Sequence, residues 1–291
     1  VSGLSAGNVQ AADHKLYGCT VISEPGNYVL ATDVVVDTTC LNPELPGDSE
    51  TGEPTGLIGI LIAASDVHLN LNGNTVYGDP GGYSDEFSAR GIGTSTALQS
   101  NVEINNGRVD GNGTLGRGIY IDIAKNVKVT AVESVNNGGE GMLMAFCEAC
   151  TVSGSVFRDN FGAGIQTVFA GDADDDGLSD GNLRIIGNEL SGSAVSNGIT
   201  IGFFGGAHEI IGNTIADNGF NGIGEFLNPD GGHVIRGNRV SGNGFSGMRL
   251  CTDGNTVQAN QVLDNGGNGI DIVGGFPCRF GPPFLGGADN L

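Results

Sequence analysis

The chain has 291 residues, of which 53 are glycine and none is tryptophan, and its formal net charge is −21. This charge disfavours nucleic acid and anionic lipid as partners, and it would repel an acidic polysaccharide unless a bound cation bridged the two. The longest apolar run, residues 57–64, is too short to cross a bilayer, so we expect no membrane insertion.

Residues 1–56 are predicted to form an N-terminal cap segment. Strand-like pieces occur at 28–30 and 34–36, and residues 41–56 carry three prolines and four acidic residues, which is typical of an exposed acidic loop. Cys19 and Cys40 lie about one repeat apart, so a disulfide between stacked turns is feasible and would lock this end of the chain.

A repeated unit occupies residues 57–291. Its clearest copies are G-N-T-I-A-D-N-G-F-N-G-I at 212–223 and G-N-R-V-S-G-N-G-F-S-G-M at 237–248. Short strands of alternating polarity are joined by glycine-rich corners, and the glycine near the end of the unit recurs every 22 to 34 residues. This spacing predicts a solenoid with loop insertions, in which each strand pairs with its equivalent in the next coil about 4.8 Å away.

Side chains that recur at equivalent positions predict stacks along the solenoid. Asparagines at one corner of successive coils can form a hydrogen-bonded ladder; they are Asn188, Asn213, Asn238 and Asn260. Phenylalanines five residues after a repeat glycine are expected to stack inside the coils; they are Phe146, Phe169 and Phe203. His208 and His233, 25 residues apart, are expected to stack at one strand start as polar rung residues.

The repeat resembles a known family. The pattern G-N-x-[IV]-x-x-N-x-x-x-G-[IM], the stretch S-D-V-H-L-N-L-N-G-N-T-V at 65–76 and the asparagine corners are similar to right-handed parallel β-helices of the pectin-lyase-like superfamily. The resemblance covers about residues 57–291 and implies an all-β fold, a single right-handed parallel β-helix of about nine or ten coils. That superfamily includes polysaccharide lyases, hydrolases, epimerases and proteins without catalysis, and no complete catalytic signature of a member maps onto this chain.

A calcium site is predicted in an acidic insertion. Residues 172–180, D-A-D-D-D-G-L-S-D, match the front of an EF-hand loop, with Gly177 at the sharp turn, and resemble the calcium loops of thrombospondin type 3 and dockerin-like repeats. The closing glutamate is absent, because Leu183 stands at its position. The predicted Ca²⁺ ligands are Asp172, Asp174, Asp176 and Asp180. The alternative is a solvated acidic loop that holds no metal.

Six cysteines in a glycine-rich β protein indicate disulfides and a secreted or cell-surface location. Cys147 and Cys150 form a CxxC motif, but a structural zinc site needs four ligands and no second CxxC exists, so we predict a local disulfide. Cys251 and Cys278 are predicted to bridge neighbouring coils.

One carboxylate interrupts an apolar row. Glu225 follows Ile201 in the inward row of the repeat, where a buried acid would need a partner or a raised pKa, as a general acid does. A bulge at Gly224 could instead turn it outward. The predicted catalytic groove also contains neighbouring residues, which are Asp230, His233, Arg249 and Asp271. Arg249 and Asp271 are expected to form an ion pair, and Glu225→Gln is expected to abolish activity without loss of folding.

Two functions remain open from the sequence. The first is an extracellular protein that binds or cleaves polysaccharide by lyase or hydrolase chemistry and is stabilised by Ca²⁺; Tyr120 is the single aromatic residue on the outward row. The second is a non-catalytic surface, adhesive or filament-forming protein. An open parallel edge near Leu291 would then support end-to-end self-association.

Overall fold

The computed structural model describes residues 13–40, 56–79, 89–169, 183–202, 206–226 and 231–273. Within these ranges the chain forms parallel strands joined by turns, and none of it is helical. Accordingly, this part of the chain holds no helix long and apolar enough to span a membrane. The strands wind into coils with three sides, so the all-β right-handed parallel β-helix is confirmed.

Sheet 1 contains one strand from each of ten coils, in agreement with the nine or ten that were predicted. Its strands are β2 (Thr20–Ile22), β5 (Ile58–Ile62), β8 (Arg90–Thr94), β11 (Arg117–Lys125), β13 (Glu140–Glu148), β16 (Ile165–Val168), β19 (Ile199–Gly202), β22 (Ile223–Phe226), β25 (Met248–Leu250) and β28 (Ile270–Ile272). A two-residue strand, β9 (Gln99–Ser100), pairs with the end of β11.

Sheets 2 and 3 form the other two sides of each coil. Sheet 2 contains β1 (His14–Leu16), β3 (Gly26–Leu30), β6 (Val67–Asn70), the first parts of β10 (Val102–Asp110) and β12 (Lys128–Val135), β14 (Thr151–Ser153), β17 (Arg184–Ile186), β20 (Glu209–Ile211), β23 (Val234–Arg236) and β26 (Thr256–Gln258). Sheet 3 contains β4 (Val34–Val36), β7 (Thr75–Gly78), the second parts of β10 and β12, β15 (Val156–Arg158), β18 (Glu189–Ser191), β21 (Thr214–Ala216), β24 (Arg239–Ser241) and β27 (Gln261–Leu263).

The first strands continue the same three sheets. β2 pairs with β5, β3 with β6 and β4 with β7, each in parallel register. Cys19 and Cys40 form the predicted disulfide beside these strands. The division of the chain into a cap at 1–56 and a β-helix at 57–291 stays a prediction.

Glycine is required where successive coils come closest. A Cβ on Gly222 would lie 2.7 Å from the carbonyl oxygen of Gly247, its equivalent in the next coil, so a side chain there would separate the two backbones. The corner between sheets 2 and 3 has a different requirement, because its backbone is left-handed: φ is 66° at Gly212 and at Gly237. Asn106 and Ala131 adopt the same conformation at the bends of β10 and β12.

The interior is filled by aliphatic columns and asparagine ladders. In sheet 1, for example, Ile165, Ile199 and Ile223 pair in register and are fully buried. The predicted ladder is confirmed, since the amide Nδ2 of each asparagine donates to Oδ1 of the next at 3.1, 3.0 and 2.9 Å. A second ladder, which we did not predict, follows the corner between sheets 3 and 1 and contains Asn218, Asn243 and Asn265.

Two further predictions were right only in part. Phe146 and Phe169 stack with their ring centroids 5.0 Å apart, but both are half-buried at the corner between sheets 1 and 2 and neither belongs to the core. Each has a left-handed backbone, with φ near 50°, so the chain turns away from sheet 1 at these residues and its side chain leaves the inward row. Phe203 lies outside the described residues. Cys147 and Cys150 form the predicted local disulfide at the same corner.

Candidate functional site

The side chain of Glu225 lies inside the solenoid and is fully buried. Gly224 does not turn it outward, because β22 keeps its register and Glu225 pairs with Ile201 of the preceding coil. Glu225 Oε2 accepts hydrogen bonds from the N–H of Cys251 (2.7 Å) and of Thr252 (2.9 Å) and from the Thr252 hydroxyl (2.8 Å). Oε1 accepts a fourth from Asn255 Nδ2 at 3.0 Å. Burial raises the pKa of Glu225, and these four hydrogen bonds act to lower it.

His233 completes this buried polar group. Its Nδ1 accepts the backbone N–H of His208 at 3.0 Å, so the proton of the neutral ring is on Nε2. Nε2 lies 3.5 Å from Glu225 Oε1, which gives the carboxylate a further donor at longer range. Burial lowers the pKa of His233 to about 4, so the ring is neutral at pH 7.

His208 stacks on His233 as predicted, with ring centroids 5.1 Å apart. Within the described part of the chain, neither ring nitrogen of His208 has a partner in good hydrogen-bond geometry, although an interaction with the backbone of Ala207 acts to raise the pKa of the ring. Burial, followed by the neighbouring His233, lowers the pKa of His208 to about 3. A neutral imidazole that is enclosed in the solenoid is a poor candidate for a catalytic base.

Arg249 and Asp271 lie on the other surface of sheet 1. They pair in register, and Arg249 Nε is 4.0 Å from Asp271 Oδ2, which confirms the predicted ion pair. Gly224 is the register partner of Arg249, and side chains alternate along a strand, so Glu225 points to the opposite side. The structure thus joins Glu225 with His233, and Arg249 with Asp271, but it does not bring the two pairs into one groove.

The remaining predicted site residues lie outside the described residues. They are Asp230 of the proposed groove, the four calcium ligands Asp172, Asp174, Asp176 and Asp180, and Cys278, the predicted partner of Cys251. Cys251 itself is disulfide-bonded. The catalytic role of the groove and the calcium site stay predictions.

A charged cluster on the outward surface of sheet 1 centres on Tyr120. The guanidinium carbon of Arg90 lies 3.9 Å from the centre of the Tyr120 ring and that of Arg117 lies 5.3 Å from it, so two cations interact with one ring. The Tyr120 hydroxyl is hydrogen-bonded to Asp122. Arg117 Nε donates to Glu140 Oε2 at 3.1 Å. We call these five residues the Tyr120 cluster.

The Tyr120 cluster is electrostatically perturbed. Burial raises the pKa of both Tyr120 and Asp122, while the nearby arginines act to lower both. Arg90 Nε is buried and, among the described residues, meets no hydrogen-bond acceptor. Half-buried titratable groups with shifted pKa values, next to a hydrogen-bond donor that has no acceptor, are typical of a binding site.

Sequence reasoning placed Tyr120 on the outward row but missed the charged residues around it. The signal was the residue directly before each repeat glycine: Arg90, Arg117 and Glu140 occupy that position in three successive coils and pair in register. The two arginines therefore stack although 27 residues separate Arg90 from Arg117 in the sequence.

The sequence profile of the periplasmic copper-binding protein (NosD) family matches residues 69–275, which is more than half of the chain. The chain belongs to this family. Its membership and its disulfides indicate a protein that works outside the cytoplasm. No curated protein matches the sequence.

Two solved structures share the fold. The A-module of the mannuronan C-5 epimerase AlgE4 from Azotobacter vinelandii is 16% identical, with a TM-score of 0.57, over 85% of this chain and 70% of that chain. A mutant of the periplasmic alginate epimerase AlgG is 15% identical, with a TM-score of 0.63, over 87% of this chain and 58% of that chain. This chain therefore spans little more than half of AlgG. At such identities the similarity shows the fold alone.

The described residues do not fit a copper site. Copper prefers imidazole, thiolate or thioether ligands, and all four histidines and all three methionines lie in the described ranges. The methionines are buried in the core; they are Met142, Met144 and Met248. His233 already accepts an N–H at Nδ1 and faces Glu225 with Nε2. No group of three or more potential ligands occurs in the described part of the chain.

Proposed function

We propose that the protein binds an acidic polysaccharide outside the cytoplasm, and that the Tyr120 cluster is the binding site. The observation that carries this proposal is the pair of arginines on one tyrosine ring, with Arg90 Nε unused among the described residues. Further support comes from the two relatives in fold, whose names describe epimerases of mannuronan and of alginate.

The chemistry of the cluster favours a carboxylate-bearing sugar. A guanidinium binds a carboxylate through two parallel N–H donors, and partial burial strengthens such a bond. Arg117 already donates to Glu140, so Arg90 is the arginine that would hold the ligand. The two arginines balance the carboxylates of Asp122 and Glu140, so the formal charge of the cluster is zero and an anionic polymer meets less repulsion there than from the chain as a whole, whose net charge is −21.

We further propose that the protein cleaves the polysaccharide that it binds. Asp122, whose pKa burial raises, lies beside Tyr120 and could exchange a proton with a bound sugar. The predicted role of Glu225 as a general acid is a separate proposal, and the binding function does not depend on it. Calcium binding at 172–180 is a further proposal, with stiffening of that loop as its role.

Binding is tested by isothermal titration calorimetry with a mannuronate hexasaccharide. We expect Arg90→Gln to weaken binding about tenfold or more, which corresponds to about 1.4 kcal/mol. Arg184→Gln is the matched control, because Arg184 is exposed on sheet 2 and pairs with Glu209 away from the cluster. Equal affinities for the unmodified protein, Arg90→Gln and Arg184→Gln would exclude the Tyr120 cluster as the binding site. Cleavage is tested separately, by assays for unsaturated and reducing ends after incubation with the same polymer.

A second candidate function is end-to-end self-association. In the last described coil Ile270 is 43% exposed and Ile272 is 72% exposed, whereas their register partners in the preceding coil, Met248 and Leu250, are buried. An exposed apolar end of a parallel solenoid is able to pair with another subunit. Light scattering over a range of protein concentrations, with and without Ca²⁺, tests this; a monomer under all conditions contradicts it.

A further inference from the structure

A concave site lies at the corner between sheets 3 and 1. It has a volume of about 350 Å³ and is open to solvent. Residues that line it include Gly113, Asn136, Gly138, Asp159, Phe161 and Ala194. We call it the corner pocket. Its size falls in the range of small-molecule sites.

The corner pocket is preformed by stacked turns. The N–H of Phe161 donates to the carbonyl of Asn137 at 2.9 Å, and the N–H of Ala194 donates to the carbonyl of Asn160 at 2.9 Å. Part of its surface is bare backbone, since Gly138 has no side chain and a Cβ there would lie 3.2 Å from the Gly113 carbonyl. The pocket therefore needs no rearrangement of the backbone to open.

The lining combines an aromatic ring with polar groups. Phe161 is 54% exposed, although large aromatic side chains are usually covered in a folded domain. Asp159 is oriented by Arg158, whose Nη1 donates to its Oδ2 at 2.9 Å, and Asn136 Nδ2 donates to Asp110 at 3.1 Å. An exposed ring beside oriented oxygen and amide groups matches a sugar, which has one apolar C–H surface and a rim of hydroxyls.

Charge and shape narrow the ligand class. Asp159 and the net charge of −21 disfavour an acidic sugar in this pocket. A purely apolar ligand would need a site that covers most of its surface, whereas this one is open. We propose that the corner pocket binds a neutral sugar unit, as a site separate from the Tyr120 cluster.

The apolar row beyond the pocket indicates a polymer rather than a single sugar. The N–H of Val195 donates to the Phe161 carbonyl at 3.1 Å, so Val195 lies beside Phe161 in the next coil. Its side chain is 57% exposed. Further along the same corner, the rings of Phe220 and Phe245 lie 4.4 Å apart. A neutral glycan chain that runs parallel to the solenoid axis contacts this row after leaving the pocket.

The test is calorimetric titration with hexasaccharides of β-1,4-linked glucose and of β-1,4-linked mannose. At least one is expected to bind, and Phe161→Ala is expected to weaken it about tenfold, or about 1.4 kcal/mol. Ala194→Leu, which narrows the pocket at an exposed position and keeps Phe161 and Asp159, is expected to do the same. Leu98→Ala is the matched control, because Leu98 is 44% exposed on another part of the coil.

Two results overturn the proposal: neither neutral hexasaccharide binds, or Phe161→Ala and Ala194→Leu bind as tightly as the unmodified protein. Arg90→Gln separates this site from the Tyr120 cluster. It is expected to weaken mannuronate binding about tenfold or more and to leave the affinity for the neutral hexasaccharide unchanged. If Arg90→Gln weakens the binding of both hexasaccharides to the same extent, the two sites are not separate and the assignment of the corner pocket is wrong. Thermal unfolding of each variant confirms that the proteins compared are folded.

Discussion

Glu225 Oε1 lies 3.5 Å from His233 Nε2, and the N–H of His208 determines which nitrogen of His233 carries the proton. The carboxylate thus lies among donors, two of which are backbone N–H groups of the turn that follows β25. Such an arrangement ties that turn to the preceding coil. We infer that Glu225 holds the corner between sheets 1 and 2.

Glu225→Gln is therefore expected to destabilise the protein. The amide NH₂ of glutamine would face a group that also donates, and at least one buried partner would lose its acceptor. We expect the free energy of unfolding to fall by about 1–3 kcal/mol. Urea unfolding at pH 7 measures it, with Glu189→Gln as control, because Glu189 is exposed on β18. Sequence alone led us to expect an intact fold for Glu225→Gln, and equal stability of the two variants would restore that view.

The buried histidines predict a loss of stability in mild acid. Their pKa values are lowered from 6.5 to about 3 for His208 and about 4 for His233, chiefly by burial. Below pH 6.5 the two histidines bind protons in the unfolded chain but stay neutral in the folded chain. The free energy of unfolding is therefore highest above pH 6.5 and falls as the pH drops toward 4. Each histidine contributes a slope of about 1.4 kcal/mol per pH unit. The raised pKa of Glu225 acts in the opposite direction above pH 4.5.

His208→Leu isolates this effect. Leu183 occupies the equivalent position in the preceding coil, so leucine suits the column, and Glu209 N–H donates to the Leu183 carbonyl across it. The variant is expected to unfold with a shallower dependence on pH between 6.5 and 4.5 than the unmodified protein. His68→Leu, at an exposed histidine, is the control. An unchanged slope in His208→Leu would show that the pKa of His208 is not lowered in the folded state.

The fold was predictable because its signals are local and repeated. The repeat glycines mark sites of backbone contact, as at Gly222, and the ladder of Asn213 follows from asparagines at one position of each unit. Phe146 was misplaced because its left-handed backbone, with φ of 49°, turns the chain away from the inward row. A positive φ is common at asparagine and aspartate, but at a phenylalanine it has no signal in the sequence.

The ladder residue Asn213 offers a direct test of the interior. Its Nδ2 donates to the Ile185 carbonyl at 2.8 Å and to Asn238 Oδ1 at 3.0 Å, and its Oδ1 accepts from Asn188. Asn213→Ala is expected to cost about 1–3 kcal/mol for each buried group that is left without a partner. Gln258→Ala, at an exposed position of β26, is the control in urea unfolding. A loss no greater than that of the control would contradict an energetic role for the ladder.

The candidate site was less predictable than the fold, for a physical reason. Glu225 stood out as an acid in an apolar row, and that placement is confirmed, but the sequence could not show that its partners come from the next coil. Arg90 and Tyr120 are 30 residues apart, and their contact depends on register and on the length of the intervening coil. A cluster assembled across coils becomes visible only when the coils are aligned.

The acidic insertion predicts a response to Ca²⁺. Residues 172–180 lie outside the described residues, and their carboxylates would bind Ca²⁺ with oxygen ligands. A Ca²⁺ concentration 100 times the dissociation constant is expected to stabilise the protein by about 2.7 kcal/mol, and a chelator to remove this gain. Asp174→Asn should abolish the rise in Tm, whereas Asp253→Asn, at an exposed turn, should keep it. The described histidines and methionines form no copper site, so any effect of Cu²⁺ on Tm should be the same in His208→Leu as in the unmodified protein; a rise in Tm that His208→Leu removes would contradict this.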